Sequence, residues 1–353
     1  MCIRDRSGAD PAPVSSVELD RVALPEELPS STVVLDVAVN DAGWVAVGYL
    51  DVGSPEPLAL YSPDGTSWSV APITVELESG LLSRVTAVGS GFVATGMPGA
   101  LWVSADGRSW EPRTLDPPLE RAFFVDLAGH ENTLYAVGCG WAGGEQQCDR
   151  FGVWRSDDLR TLQPLPLPEP AFMPIGVAAD ETGVVTVGWL GSARDDDYRV
   201  QGWSARTGDE RGWTTQGHGT GSALLSVANG ADGWIAVGRQ DEHVLMTRSD
   251  EGNTWSDILE TAPEGSAIQV VSGTVTVIAG CGGDTPVCPS EVWRLEPDGA
   301  LTPLDLGGIE PGQTVELSGL TLSPSDELVV VGSVMRGIDG PATAALWWTD
   351  QTV

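Results

Sequence analysis

The sequence predicts an all-β protein, a seven-bladed β-propeller with four antiparallel strands in each blade. One observation is an apolar, β-branched run that ends in glycine and recurs seven times, at Gly48, Gly96, Gly138, Gly188, Gly238, Gly280 and Gly332. Another is the phrase Ser-x-Asp-Gly-x-Ser-Trp, which has near-identical copies at 62–68 and 104–110. A repeat of about 40–50 residues with strand-like content is typical of propellers and solenoids. We find no segment with helical periodicity.

Each repeat is interpreted as four strands in a fixed order. The first strand is apolar, as in 33–39, and a polar turn such as Asn40–Gly43 separates it from the second strand, which ends on the marker glycine. Such near-continuous apolar runs favour strands that are buried on both faces. Aromatic residues mark the third strand and the start of the fourth: Tyr61, Trp102, Trp154, Trp203, Trp293 and Trp347, then Trp68, Trp110, Trp213 and Trp255.

The chain ends supply the last strand of the predicted ring. The seventh repeat has no room for a fourth strand, whereas a strand-like segment, 17–24, precedes the first repeat. We expect this segment to complete the last blade and cover its open edge. Residues 15–353 then form a single domain, with six or eight blades as the alternatives.

Residues 1–14 are predicted to be a non-native or disordered leader. The first six, Met1–Arg6, match a translated sequencing-adapter read and are excluded from fold reasoning. We therefore expect the native N-terminus, with any signal peptide or lipid anchor, to be missing from this sequence.

The charge is strongly negative, with 50 acidic residues, 18 arginines, no lysine and a formal net charge of −32. Phosphate binding needs clustered basic residues, so nucleic acid is not an expected partner. We interpret the acidic residues as a solvated surface, with salt adaptation and capture of cations or a basic partner as alternatives. No apolar run reaches the ~18–20 residues of a membrane span. A monomer without cofactor or metal is expected.

Four cysteines form two close pairs, Cys139 with Cys148 and Cys281 with Cys288. Each pair flanks the predicted loop between the second and third strands of a repeat. An antiparallel pair of strands brings such positions close enough for a disulfide. We therefore predict two disulfides and an oxidising compartment, outside the cell or on its surface. A four-thiolate metal site is rejected because the two loops lie three blades apart.

The Ser-x-Asp-Gly-x-Ser-Trp phrase resembles the Asp-box (BNR) repeat of sialidase-like propellers and of related exported actinobacterial propellers. The copies here have one residue fewer between Asp and Gly than the usual pattern, and degraded copies occur at 156–161 and 249–255. The resemblance implies a structural role in the turn between third and fourth strands. The residues concerned are Asp64, Trp68, Asp106, Trp110, Glu251 and Trp255.

Candidate ligand-binding residues lie in the irregular loops between second and third strands. Trp141, Trp189 and Trp348 are the tryptophans that the repeat does not explain. Trp141 and Trp189 belong to loops of adjacent blades, which share one face of a propeller. The candidate site comprises Trp141, Gln146, Trp189, Asp195, Asp197, Tyr198 and Arg199. Both tryptophans could instead pack as loop anchors, and the acidic run could be a solvated loop.

Catalytic signatures are missing from the sequence, so no catalytic residue is assigned. A sialidase would show an Arg-Ile-Pro signature, an arginine triad and a tyrosine paired with glutamate; the first is absent and the last is not apparent. We expect an exported, non-catalytic scaffold that binds a glycan or a protein. The alternative is a carbohydrate-active enzyme, a sialidase-like hydrolase or lyase, that uses acidic residues at the channel mouth; an assembly factor is a third, weaker possibility.

Overall fold

The structure is a computed structural model, and it describes residues 17–74, 80–97, 100–115, 123–140, 150–167, 172–190, 201–207, 213–259, 265–282, 290–337 and 342–349. Within these ranges the regular secondary structure consists of β-strands. No helix in the described ranges has the length and apolar character needed to cross a membrane.

The first half of the chain contains fifteen strands. They are β1 (Glu18–Val22), β2 (Thr32–Asn40), β3 (Gly43–Asp51), β4 (Pro55–Ser62), β5 (Ser69–Val70), β6 (Leu81–Val88), β7 (Gly91–Met97), β8 (Ala100–Ser104), β9 (Glu111–Arg113), β10 (Phe123–His130), β11 (Thr133–Gly140), β12 (Arg150–Ser156), β13 (Gln163–Leu165), β14 (Met173–Asp180) and β15 (Gly183–Leu190).

The second half contains thirteen more. They are β16 (Gln201–Thr207), β17 (Thr214–Thr220), β18 (Ser222–Gly230), β19 (Gly233–Gln240), β20 (His243–Ser249), β21 (Ser256–Asp257), β22 (Gly265–Ser272), β23 (Thr276–Gly282), β24 (Ser290–Leu295), β25 (Leu301–Leu306), β26 (Gln313–Leu322), β27 (Leu328–Arg336) and β28 (Ala342–Thr349).

These strands form five four-stranded sheets and one eight-stranded sheet. The four-stranded sheets, β2–β5, β6–β9, β10–β13, β14–β17 and β18–β21, are called units 1 to 5 below. The eight-stranded sheet has the order β22-β23-β24-β25-β1-β28-β27-β26. Its halves are called unit 6 (β22–β25) and unit 7 (β26–β28 with β1). Neighbouring strands within a unit are antiparallel, as in unit 1.

The first strand of each unit lies at a common axis. These innermost strands, β2, β6, β10, β14, β18, β22 and β26, contact one another in chain order, and β26 contacts β2. Together they line an axial cavity of about 340 Å³. The prediction of a β-propeller is therefore confirmed.

The hydrophobic core is divided among the interfaces between neighbouring units. Val45 and Val47 of unit 1, for example, pack in one cluster with Leu82 and Phe92 of unit 2. Trp110 completes this cluster and is fully buried. Because each sheet uses both faces in this way, the apolar runs of its strands have no polar alternation.

Strand β1 joins units 6 and 7 into one sheet. It pairs antiparallel with β28 and parallel with β25. Gly307 N donates to Leu19 O at 2.8 Å. The Leu19 side chain is fully buried in a cluster with Leu304 and Trp347. The parallel pairing with β25 was not predicted from the sequence.

We predict that Leu19→Ala lowers the free energy of unfolding by about 2–4 kcal/mol, because it leaves a cavity between two units. Urea unfolding followed by tryptophan fluorescence measures this change. The control is Asp20→Ala, which changes an exposed side chain on the same strand. Equal stability of the Leu19→Ala variant and the parent would show that β1 does not stabilise the ring.

Candidate functional site

The predicted ligand site is described only at Trp189. This residue lies near the end of β15, opposite Met173 of β14 and Gly202 of β16, and it is partly buried. The other members, Trp141, Gln146, Asp195, Asp197, Tyr198 and Arg199, lie outside the described residues. Their grouping therefore stays a prediction.

The predicted disulfides are described at one cysteine. Cys139 is disulfide-bonded and buried near the end of β11. Cys281 occupies the corresponding place in β23, opposite Ser290 of β24. Cys148 and Cys288 lie outside the described residues. The partner assignments stay predictions.

The repeated phrase forms a turn held by its aspartate. In unit 1, Asp64 Oδ1 accepts hydrogen bonds from Thr66 N at 2.9 Å and from Ser67 N at 2.7 Å. Desolvation opposes ionisation here, but the bonds from Ser67 and Thr66 outweigh it and hold the pKa of Asp64 well below its usual range. Gly65 has a φ of 78°, which is favourable for glycine. Trp68 Nε1 donates to Gly65 O at 2.8 Å.

The glycine of the phrase also contacts the preceding unit. A Cβ at Gly107 would lie 2.7 Å from Val45 Cγ2 and 2.9 Å from Tyr61 Cδ2, both in unit 1. A Cβ at Gly65 would lie 2.8 Å from the indole of Trp348 in unit 7. Tyr61 and Trp348 hold equivalent positions, one residue before the end of the third strand. Trp348, which the sequence left unexplained, is therefore part of the scaffold.

Two copies of the phrase depart from this pattern. In unit 3, Asp158 accepts bonds from Thr161 N and Arg160 N, which lower its pKa to about 2. Leu159 takes the place of the glycine and keeps a positive φ of 54°. In unit 5, Glu251 takes the place of the aspartate. Among the described contacts, its carboxylate accepts none of the bonds that Asp64 accepts.

Around the axis, the innermost strands bring together residues that the sequence analysis missed. Each innermost strand has a β-bulge at the same level of the ring. The residues that follow the bulges are Asp36, Arg84, Asp126, Gly176, Ser226, Gln269 and Gly319. Asp36, Arg84 and Asp126 could have been identified from the sequence, because each is a charged residue inside an otherwise apolar strand.

The two aspartates fasten their strands to the next unit. Asp36 Oδ2 accepts a hydrogen bond from Val85 N at 2.9 Å, across the interface between units 1 and 2. Asp126 Oδ2 accepts one from Val177 N at 2.9 Å, between units 3 and 4. Each carboxyl also accepts a bond from the next residue of its own strand. Arg84 spans the interface between them, since its Nε donates to Val125 O at 2.8 Å.

Burial disfavours the charged form of both aspartates. Desolvation raises the pKa of Asp36 to about 6, although Arg84 and the backbone donors oppose the rise. Desolvation likewise raises the pKa of Asp126 to about 7, with Asp36 adding to the rise. A carboxyl of this kind, beside a cavity, can hold or release a proton near neutral pH. Its oxygens are, however, already engaged by backbone donors.

No group of three or more His, Cys, Asp or Glu side chains within the described ranges could hold a metal ion. Arg84 is also the one arginine on the seven innermost strands. Among the described residues, the innermost strands therefore carry one guanidinium, Arg84, and two carboxyl groups with raised pKa values, Asp36 and Asp126.

Comparisons with known proteins agree on the fold. Neither the protein-family models nor the curated proteins contain a match to this chain. Among solved structures, YCF48 from Cyanidioschyzon merolae is similar, with a TM-score of 0.59 and 15% identity over 95% of this chain and 99% of that one. A structure of YCF48 bound to D1 peptide has a TM-score of 0.59 and 13% identity, with coverages of 96% and 99%. The WD40 β-propeller domain of Doa1 has a TM-score of 0.55 and 12% identity, with coverages of 94% and 96%.

For the turns, we predict that Glu251→Asp raises the free energy of unfolding by about 0.5–1 kcal/mol, because a shorter carboxylate can accept the turn amides. The reciprocal change, Asp64→Glu, should lower it by a similar amount. Urea unfolding measures both changes. Two changes of the same sign would contradict this account of the turn.

For the axis, we predict that Asp36 and Asp126 make stability fall as the pH rises from about 4 to about 7. Their pKa values are raised on folding, so the folded state keeps protons that the unfolded state has lost. His218 acts in the opposite direction in this window, because burial lowers its pKa to about 4. The double variant Asp36→Asn/Asp126→Asn should therefore gain stability, relative to the parent, as the pH rises.

Urea midpoints measured from pH 4 to pH 8 test this difference. Asp41→Asn, at an exposed position of the first turn, serves as the control. Parallel pH profiles for the double variant and the parent would mean that the two carboxyls are ionised throughout.

Proposed function

We propose that this protein is an exported, monomeric, non-catalytic β-propeller that binds a protein segment on the face carrying the loops between second and third strands. A glycan is the second choice of ligand. The proposal includes a ring of seven blades, one for each unit, closed by β1. The cyclic contacts of the innermost strands and the double pairing of β1 support that count.

The observation that carries the non-catalytic proposal is that the charged side chains at the axis are hydrogen-bonded to the backbone of neighbouring units. Asp36 and Asp126 accept bonds from the backbone of neighbouring units, and Arg84 donates to a backbone carbonyl. These groups therefore stabilise interfaces. A sialidase needs three arginines around a substrate carboxylate, whereas the innermost strands carry one.

A peptide ligand is favoured by a protein of the same fold. The structure of YCF48 bound to D1 peptide is an example of a propeller that accepts a peptide. Trp141, Trp189 and Tyr198 are large aromatic residues of the kind that dominates peptide interfaces. Export is supported by the disulfide at Cys139, since such bonds persist in oxidising compartments.

The competing function is that of a carbohydrate-active enzyme. The raised pKa of Asp126 beside the axial cavity favours it, because a glycosidase needs a carboxylic acid that is protonated near neutral pH. A second carboxyl, Asp36, lines the same cavity. Glycoside hydrolysis is therefore tested in parallel with ligand binding.

We predict that peptide and glycan arrays probed with the whole chain identify a ligand whose affinity falls at least about tenfold in Trp141→Ala/Trp189→Ala. Trp213→Ala, a partly buried tryptophan of unit 4 near the outer strand, is the matched control. Undiminished binding by the double variant would refute the proposed face. Hydrolysis of a fluorogenic sialoside or other glycoside that is lost in Asp126→Asn would establish the enzyme instead.

A further inference from the structure

We propose that the gap between units 2 and 3 is a binding site for a small ligand with one carboxylate on an apolar body. A cavity of about 370 Å³ lies there. The residues that determine its chemistry are Val88, Phe92, Val103, Glu111, Arg113 and Leu159. The site lies at the end of the ring that carries the turns between third and fourth strands. It is independent of the proposed protein-binding face.

The repeat is broken on the unit 3 side of this cavity. Leu159 stands where units 1, 2 and 5 have a glycine, and Leu162 stands where they have a tryptophan. In units 1, 2 and 5 the indole of that tryptophan donates to the glycine carbonyl, as Trp110 Nε1 does to Gly107 O at 3.2 Å. Neither the bond nor the aromatic ring exists at this interface. The unit 3 side of the lining, at Leu159, is therefore aliphatic.

The repeat is also broken on the unit 2 side. Val103 stands where unit 1 has Tyr61 and unit 7 has Trp348, so the wall presents a small side chain. Arg113 follows Trp110 by three residues, a position held in unit 1 by buried Ala71 and in unit 5 by partly buried Ile258. A guanidinium thus occupies a position that is apolar in units 1, 3 and 5 and is a neutral amide, Gln216, in unit 4.

Arg113 has no partner among the described residues. Its Nε is buried without a hydrogen bond. Four other arginines pair with carboxylates: Arg155, Arg248, Arg294 and Arg336. Within the described ranges, Arg21 and Arg206 also line cavities without a carboxylate partner, but they donate to Gly308 O and to Thr182, respectively. Leaving a buried donor unsatisfied costs free energy, which a ligand that accepts its hydrogen bonds would recover.

The lining specifies the ligand class. A guanidinium binds a carboxylate through two parallel hydrogen bonds. Phe92, Val88 and Leu159 supply an apolar wall for a hydrocarbon body. Glu111 is exposed at the same cavity, two residues from Arg113 on β9, and it disfavours a second negative charge. The cavity volume is in the range of small-molecule sites. A monocarboxylate therefore fits better than a phosphate or a dicarboxylate.

Titration of the whole protein with phenylacetate, followed by calorimetry and ligand-observed NMR, tests the site. We expect saturable binding of phenylacetate, weaker binding of the doubly charged benzylphosphonate, and none of phenethylamine. Arg113→Gln should reduce the affinity for phenylacetate at least about tenfold, the loss expected for a charge-assisted pair. Arg160→Gln, an exposed arginine in the adjacent turn, should leave it unchanged.

Val103→Tyr provides a second variant, because it restores the larger residue of unit 1 and fills the cavity while leaving Arg113 in place. We expect it to abolish phenylacetate binding, with thermal unfolding confirming that it is folded. The proposal is overturned if the parent shows no saturable binding of phenylacetate. It is equally overturned if Arg113→Gln binds as the parent does, or if phenethylamine binds as well as phenylacetate.

Discussion

Contacts between neighbouring units hold this structure together, because a four-stranded sheet with two apolar faces cannot cover either face alone. Apolar packing supplies most of the stabilisation between neighbouring units, and hydrogen bonds fix how one unit is aligned on the next. Ser318 Oγ, for example, donates to Val34 O at 2.7 Å between units 7 and 1. Trp348 against Gly65 lies at the same interface. The interface between the last and first units thus combines a hydrogen bond between innermost strands with a large third-strand residue packed on a turn glycine, as the interface between units 1 and 2 does with Tyr61 and Gly107.

This constraint explains where charge is tolerated. Bulges at the axis leave backbone N–H groups that need acceptors, and Asp36 and Asp126 supply them at the cost of desolvation. Their raised pKa values express that cost. At the turns the pKa values of the aspartates are lowered instead, because Asp64 and Asp158 stay accessible to water while they accept several hydrogen bonds. The balance between desolvation and the hydrogen bonds that each carboxylate accepts decides the direction of the shift.

The sequence predicted the parts of the fold that are encoded locally. Apolar runs ending in glycine identified the strands, and the repeated phrase identified the turns between third and fourth strands, because each of these features lies within a few residues. The parallel pairing of β1 with β25 could not be predicted, since it joins distant segments and has no local signature. The role of Trp348 was missed for the same reason. The axial aspartates were missed because their acceptor role depends on strands of the next unit.

Departures from the repeat are informative because the copies that obey it define what the scaffold requires. Where Gly107 and Trp110 are present, the interface between units 1 and 2 is filled. Between units 2 and 3 the glycine, the tryptophan and the large third-strand residue are all replaced, and an arginine without a partner in the described part of the chain is added. A scaffold under stability constraints alone would not gain from Arg113, because an unsatisfied buried donor is unfavourable. The convergence of these changes on one cavity is what distinguishes it from an ordinary packing defect.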